Sequence, residues 1–278
     1  MRLIVLAVIF TFHFSLSTLS VFAYERIVSL APSATSSLYE LGVEDKVVGI
    51  TVFCPAGKIK KESIGTLLEP DLEKIILLKP DLIISTKEGN NKAVVEKLIR
   101  LGLPVFTMNT SESFEAICAN YIELAKKIGA EKIAVENIKI AQSKLNAVRK
   151  KSINHEKQSV FWEVGARPLY AAGKKSFVKD YNYYTNTANV FDNINQRYPQ
   201  IDTEMVLIKN PDIIILVDMG DISGEELAYW KNYMGINAVK NSKVYMINVN
   251  DIFTPTPLTF ARGAELLALK IYGASFEK

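Results

Sequence analysis

The stretch DLEKIILLKPDLIIS, Asp71 to Ser85, returns as DTEMVLIKNPDIIIL, Asp202 to Leu216. Asp71 and Asp202 stand 131 positions apart, and the same offset relates Glu73 to Glu204, Pro80 to Pro211 and Asp81 to Asp212. Each copy reads as a short helix, a proline stop and a buried strand. Asp71 and Asp202 are placed to cap their helices by accepting hydrogen bonds from free N–H groups. Glu73 and Glu204 fall in the first turn, where the helix dipole favours negative charge. The apolar run that follows is expected to face a core. Asp-Leu-Ile-Ile and Asp-Ile-Ile-Ile then read as parallel strands buried on both faces. A repeat this long signals two copies of one supersecondary arrangement, too few for a solenoid. The expectation is a two-lobed α/β protein that carries the phrase once per lobe.

Strand and helix alternate outward from the first copy. Arg26 to Leu30 reads as a strand, and Ser33 or Thr35 is placed to cap a helix running to Leu41, closed by Gly42. Lys46 to Thr51 is a second strand, and Phe53 to Thr66 a loop. After the phrase come a helix over Asn90 to Leu101, a strand over Pro104 to Met108 and a helix over Ser113 to Ile128. Such alternation predicts a parallel sheet covered on both faces. Glu131 to Ser152 breaks the pattern with 22 residues free of Gly and Pro. Ile133, Ile138, Ala141, Leu145 and Val148 form an apolar stripe at helical spacing. A helix of that length reaches about 33 Å, enough to carry the chain from one lobe to the other. An ordinary long core helix is the competing explanation.

In the second half, Ser159 to Val164 is a strand, Gly165 to Lys174 a loop, and Ser176 opens a helix. Asn189 to Tyr198 is polar and irregular. The second copy of the phrase leads to a helix over Glu225 to Tyr233 and a strand over Lys243 to Asn248. A loop over Val249 to Pro257 and an amphipathic helix over Thr259 to Tyr272 complete the lobe. The predicted organisation is a leader over residues 1–23, an N-terminal lobe over 24–130, a linking helix over 131–153 and a C-terminal lobe over 154–278.

The 278 residues are 49% hydrophobic and 23% charged, which suits one large or two medium domains. A net charge of +3 is too small to argue for nucleic acid. Arg2 is the single charge before Tyr24, and Val21-Phe22-Ala23 offers a signal-peptidase site. The expectation is export to the periplasm with cleavage between Ala23 and Tyr24. An uncleaved membrane anchor is the alternative, and no cysteine follows to carry a lipid. Cys54 and Cys118 are the two cysteines; an exported setting permits a disulfide between them, and two unpaired thiols are the alternative.

Enzyme signatures are missing. The chain has no G-x-S-x-G elbow, no Walker loop and no G-x-G-x-x-G after a strand. After leader removal one histidine is left, His155, expected at the surface, which argues against a histidine triad or a multi-histidine zinc site. No pair of carboxylates falls in an obvious cleft loop for glycosidase chemistry. Aromatic residues are more telling: Tyr170, Tyr181, Tyr183, Tyr184 and Tyr198 fall in or near the loops of the second lobe, and Phe53 and Phe253 are in loops too. Ligands of α/β lobes bind beyond the carboxyl ends of the strands and at domain interfaces. A tyrosine there offers a flat apolar face with a polar tip; packing is the competing explanation for each.

RIVSLAPSATSSLYELG (Arg26 to Gly42), IGTLLEPDLEKIILLKPDLIIS (Ile64 to Ser85), FWEVGARPLYAAGKKSF (Phe161 to Phe177) and PQIDTEMVLIKNPDIIIL (Pro199 to Leu216) resemble the periplasmic solute-binding proteins of ABC importers for cobalamin and iron chelates. The cobalamin-binding member is the nearest likeness. The resemblance implies a class III binding protein: two Rossmann-like lobes, one rigid linking helix and a ligand in the cleft between them. It implies a transported corrinoid or iron chelate with no resident cofactor and no metal site, and a monomer that works with a permease and its ATPase. It places Glu73 and Glu204 as the surface glutamates that dock on permease arginines. Tyr170 and Tyr198 match aromatic cleft positions, and Phe53, Thr66, Leu67 and Phe253 fall where a ligand face is expected. Leu67 replaces a tryptophan of the cobalamin-binding member, and Leu258 an arginine frequent in siderophore binders. The alternatives left open are a ferric siderophore, haem held by an axial tyrosine, an exported hydrolase and a receptor-like sensor module.

Overall fold

The computed structural model describes residues 24–220 and 223–277. The leader and the cleavage point proposed for residues 1–23 lie outside them. The first lobe comprises β1 (Ile27–Ser29), α1 (Pro32–Glu40), β2 (Val47–Ile50), β3 (Glu62–Ser63), α2 (Leu72–Leu77), β4 (Leu82–Thr86), α3 (Lys92–Arg100), β5 (Val105–Met108) and α4 (Phe114–Ile128). Helix α5 (Glu131–Ser152) leads into β6 (Gln158–Gly165), β7 (Tyr170–Ala171), α6 (Val178–Tyr184), β8 (Thr187–Asn189), α7 (Thr203–Lys209) and β9 (Ile213–Asp218). The chain ends with α8 (Ser223–Lys231), α9 (Asn237–Lys240), β10 (Val244–Asn248), α10 (Val249–Ile252), α11 (Pro257–Tyr272) and α12 (Ala274–Glu277).

The repeated phrase builds the same object twice. Asp71 caps α2 by accepting from Lys74 N at 3.0 Å, and Asp202 caps α7 by accepting from Met205 N at 2.8 Å. Each helix ends in a left-handed residue just before its proline, Lys79 at φ 46° and Asn210 at φ 45°. The next aspartate ties the start of the neighbouring strand. Asp81 accepts from the backbone N–H groups of Glu25 (2.7 Å) and Arg26 (2.9 Å), and Asp212 from Ser159 N at 2.9 Å. In the strands, Leu82 and Ile84 face one core and Ile83 another, and Ile213 and Ile215 are likewise divided from Ile214 and Leu216. That is the period-two division of a strand buried on both faces.

The first sheet is parallel, in the order β3-β2-β1-β4-β5. The second runs β10-β9-β6-β7, with β8 also on β6, and all its pairings are parallel except that of β7. The α/β fold with two lobes and a long linking helix is the one expected. Several details differ. Helix α1 starts at Pro32 with Ala31 as its cap, so neither Ser33 nor Thr35 caps it; proline is pre-organised for the first helical position. Ser176 does not open α6 as its first residue, although its Oγ accepts from Val178 N at 3.2 Å. The loop Gly165 to Lys174 holds β7, β8 precedes the irregular stretch Asn189 to Tyr198 and ends on its first residue, and the loop Val249 to Pro257 holds α10. These pieces are too short to show a periodicity.

The apolar runs of the phrase do not face a core throughout. Ile75 and Val206 are buried, but a helix of six or seven residues can bury only one stripe. Leu77 is 78% exposed and Ile208 82% exposed. On α5 the inward stripe starts from Ala134 rather than Ile133, and Ala134 joins the first-lobe core while Ala141, Leu145 and Val148 join the second. Helix α4 also crosses the boundary, because Phe114 and Ile117 belong to the second-lobe core, with Phe114 5.0 Å from the Phe260 ring. His155 is half-buried and stacked on Tyr272 at 4.2 Å rather than free in solvent. Cys54 and Cys118 are both free thiols. Thr35 Oγ1 donates to Cys54 Sγ at 3.0 Å, and Cys118 packs from α4 against the second-lobe core.

Candidate functional site

Residues at the carboxyl ends of β4 and β5, among them Thr86, Glu88, Met108 and Ser111, line a cavity together with Phe253 and Pro255 of the second lobe. On the second-lobe side, Tyr170 on β7, Tyr198 in the loop before Pro199 and Phe253 after α10 line one cavity of about 310 Å³ with Val164 and Met219. The Tyr198 and Phe253 rings lie 6.1 Å apart, and Phe177 supports Phe253 from 5.4 Å. Tyr198 keeps 36% of its surface exposed. The result is an apolar aromatic wall with polar tips, suited to a flat or bulky ligand held by shape.

Phe53, Thr66 and Leu67 come from the first lobe and are not among the residues lining that cavity. Phe53 is 60% exposed after β2. Thr66 is exposed, and its Oγ1 accepts from Glu69 N at 3.0 Å. Leu67 is half-buried against the first-lobe core, and its carbonyl accepts from Asn90 Nδ2 at 3.0 Å. A Cβ at Gly89 would come within 2.9 Å of the Leu67 side chain, so the glycine allows this close approach. Of the other tyrosines, Tyr181 is fully buried, stacked on Phe260 at 4.0 Å, and belongs to the core rather than the cleft.

A link across the cleft was not anticipated. Arg197 Nη1 lies 2.7 Å from Glu88 Oε1, and its Nη2 donates to Ser111 O at 2.9 Å. The guanidinium sits 5.3 Å from the Tyr198 ring centroid. Glu88 and Ser111 follow β4 and β5, so the contact joins the first lobe to the aromatic wall. Nothing local in QRYPQ names Glu88 as a partner; only folding brings together residues so far apart. Farther back, Asp180 Oδ2 accepts from Phe114 N at 2.6 Å, Lys144 pairs with Glu265 at 2.6 Å, and Arg262 reaches Glu40 at 3.5 Å.

A second buried polar group was also missed. Glu163 on β6 is 3% exposed, and its Oε2 accepts from Trp230 Nε1 at 2.6 Å. Burial pushes its carboxyl up to about 7; the Trp230 hydrogen bond and Arg167 pull it down, and Glu226 adds to the rise. A lone charge inside the apolar run Phe161-Trp162-Glu163-Val164 was the available signal. Burial likewise raises both thiols, Cys118 to about 12 with help from Glu115. Neither is a reactive thiolate at neutral pH.

Glu73 and Glu204 are exposed in the first turns of α2 and α7, and neither forms an ion pair among the described residues. Each is followed on its helix by exposed apolar residues, Ile76 and Leu77 in one lobe, Leu207 and Ile208 in the other. Among the described residues, no group of three or more His, Cys, Asp or Glu is placed to hold a metal ion.

Comparison with known proteins agrees with this architecture. The vitamin B12-binding protein of Vibrio vulnificus (strain YJ016) is 29% identical over 237 residues, covering 84% of this chain and 86% of that protein. The uncharacterized ABC transporter substrate-binding lipoprotein YvrC of Bacillus subtilis (strain 168) is 30% identical over 262 residues, covering 91% of this chain and 82% of that one. The crystal structure of a possible iron-binding (periplasmic solute-binding) protein from Staphylococcus epidermidis superposes with a TM-score of 0.78 at 27% identity, over 90% of this chain and 99% of that one. Residues 27–249 match the family described as periplasmic binding protein. With that match running over most of its length, the chain belongs to the periplasmic binding protein family, a solute-binding protein rather than an enzyme.

Proposed function

We propose that the protein captures cobalamin or a related corrinoid in the cleft between its lobes and delivers it, as a monomer, to the permease and ATPase of an ABC importer. The observation that carries this is the cavity walled by Tyr170, Tyr198 and Phe253. Vitamin B12-binding proteins among its relatives support the choice of ligand. Phe53, Thr66 and Leu67 would close over the ligand from lobe 24–130 onto lobe 154–278. Glu73 and Glu204, one per lobe and equivalently placed, are assigned to the permease contact. Export with cleavage after Ala23 places the mature chain where the permease presents its outer face.

The test is equilibrium titration of the mature protein with cyanocobalamin, haem and a panel of ferric chelates. Saturable binding of cyanocobalamin at micromolar or lower concentration is expected. Absence of such binding, with a haem or ferric-chelate complex formed instead, would replace the corrinoid. A haem complex whose visible spectrum is lost on mutating Tyr170 or Tyr198 would make that tyrosine an axial ligand.

A further inference from the structure

Beside the aromatic wall lies a larger cavity, of about 380 Å³, at the carboxyl ends of β6, β9 and β10. Its lining includes Glu163, Arg167, Leu216, Asp218, Glu226 and Met246. Met219 lines both cavities, and Gly165 in this one follows Val164 in the other, so the two are contiguous. We propose that this side pocket is a subsite for a primary carboxamide arm of the ligand, held by the carboxyl of Glu163.

The chemistry of the wall narrows the class. The walls contributed by Leu216, Val217, Met219 and Met246 are apolar, so the few polar groups decide what enters. Arg167 Nη2 lies 3.0 Å from Glu226 Oε1 and 3.3 Å from Glu225 Oε2, so the one cation at the rim is already engaged by two carboxylates and the group stays net negative. Asp218 Oδ1 is engaged by Gly220 N at 2.8 Å. Glu163 is different. It is almost fully buried, and only its Oε2 takes a hydrogen bond from a described residue. Its Oε1 is not among the buried atoms left without a partner among the described residues, so it opens on the cavity with bonding capacity to spare. An ammonium group would need Glu163 ionised, which burial opposes, and would meet Arg167 in the same wall. A carboxylate ligand would oppose three acidic residues. A neutral amide meets neither objection. With Glu163 protonated, its Oε1–H donates to the amide carbonyl, and the second lone pair of Oε2 accepts from the amide N–H. The Trp230 bond to Oε2 stays in place and holds the carboxyl in register.

As an arm of the cleft ligand the subsite rests on the corrinoid proposal; as an amide pocket it does not, and the experiment separates the two. The chain has two tryptophans, Trp162 and Trp230, both buried and both donating indole N–H bonds, to Asn182 and Glu163 respectively. Indole resonances in a ¹⁵N–¹H spectrum, assigned with Trp162→Phe, therefore report on the pocket and on an internal control. Titration of the mature protein with acetamide at pH 6 is expected to move the Trp230 signal saturably and leave Trp162 in place. The response should weaken above pH 8, where Glu163 ionises. The charged groups around it are Arg167 on its own sheet edge, Glu226 from α8 and Asp218 from β9. In Glu163→Gln, which keeps an acceptor for Trp230 and a donor for the amide, the response should persist at high pH. No movement of either indole, or equal movement of both, would overturn the pocket. In parallel, Glu163→Leu should bind cyanocobalamin at least tenfold more weakly than wild type. Unchanged affinity would remove the ligand arm. Acetamide binding without cyanocobalamin binding would keep the pocket and remove the corrinoid.

Discussion

Glu163 couples the site to stability. In the unfolded chain its carboxyl loses its proton near the ordinary glutamate value, about 4.3. In the folded protein burial holds the proton up to about 7. Between those values the native state binds more protons, so this group's contribution to stability is full below pH 4 and is lost as pH rises through 7. The loss amounts to roughly 4 kcal/mol. Glu163→Gln keeps the acceptor for Trp230 and removes the titration. The difference in urea stability between variant and wild type should therefore swing in the variant's favour by about that amount between pH 4 and pH 8. A constant difference would refute the assignment. In the cleft, Tyr198→Ala removes an exposed aromatic face next to Phe253. Cyanocobalamin binding should weaken by about 1–3 kcal/mol, roughly a five- to 150-fold change in dissociation constant. An unchanged calorimetric titration would show that the wall is structural. At this scale the sequence was readable where a residue acts locally. Asp71 and Asp202 were recognisable as caps because a cap bonds three residues ahead. Glu163 and Arg197 were not, because their partners Trp230 and Glu88 are brought to them only by the fold.

Helices α2 and α7 and the link from Arg197 to Glu88 carry the next predictions. The phrase revealed both helices, but its apolar residues looked uniformly buried. A helix of fewer than two turns can bury one stripe only, which leaves Leu77 and Ile208 in solvent beside Glu73 and Glu204. If these faces meet the permease, Glu73→Ala, Glu204→Ala, Leu77→Asn and Ile208→Asn should each weaken docking to permease-containing vesicles. Ligand affinity of the soluble protein should be unaltered, and stability should stay within about 0.5 kcal/mol of wild type. A fall in soluble-protein affinity would contradict the docking role. The Arg197–Glu88 pair is partly buried and is joined by the Ser111 carbonyl. A double-mutant cycle with Arg197→Gln and Glu88→Gln should give a coupling on the order of 1 kcal/mol in urea melts. Zero coupling would mean that the ion pair contributes nothing to holding the lobes together. The short pieces β7, β8 and α10 escaped sequence reading because two to four residues cannot display a period of 2 or 3.6.

At the scale of the whole molecule the two lobes are bound at several levels. Helix α5 gives Ala134 to one core and Leu145 to the other, α4 places Phe114 in the second-lobe core, and Asp180 holds the start of α4. Closure about such a connection should be small, so small-angle scattering should show little change in radius of gyration when ligand is added. A large contraction would point to a hinge that α5 does not provide. The two-lobed outline was legible because the phrase recurs at one offset; the sharing of α4 was not, since Phe114 and Ile117 look like any helix-face residues. That sharing bears on how the protein is made. A chain cut after the linking helix would leave Phe114 and Ile117 uncovered, and the second half alone would have a hole where they belong. Neither half is therefore a finished folding unit. The second core waits on α4 from the first half and on α11 (Pro257–Tyr272), which follows α4 by well over a hundred residues. A polypeptide of this design can stay open while it is being made and consolidate in one step once α11 is available to cover the second core.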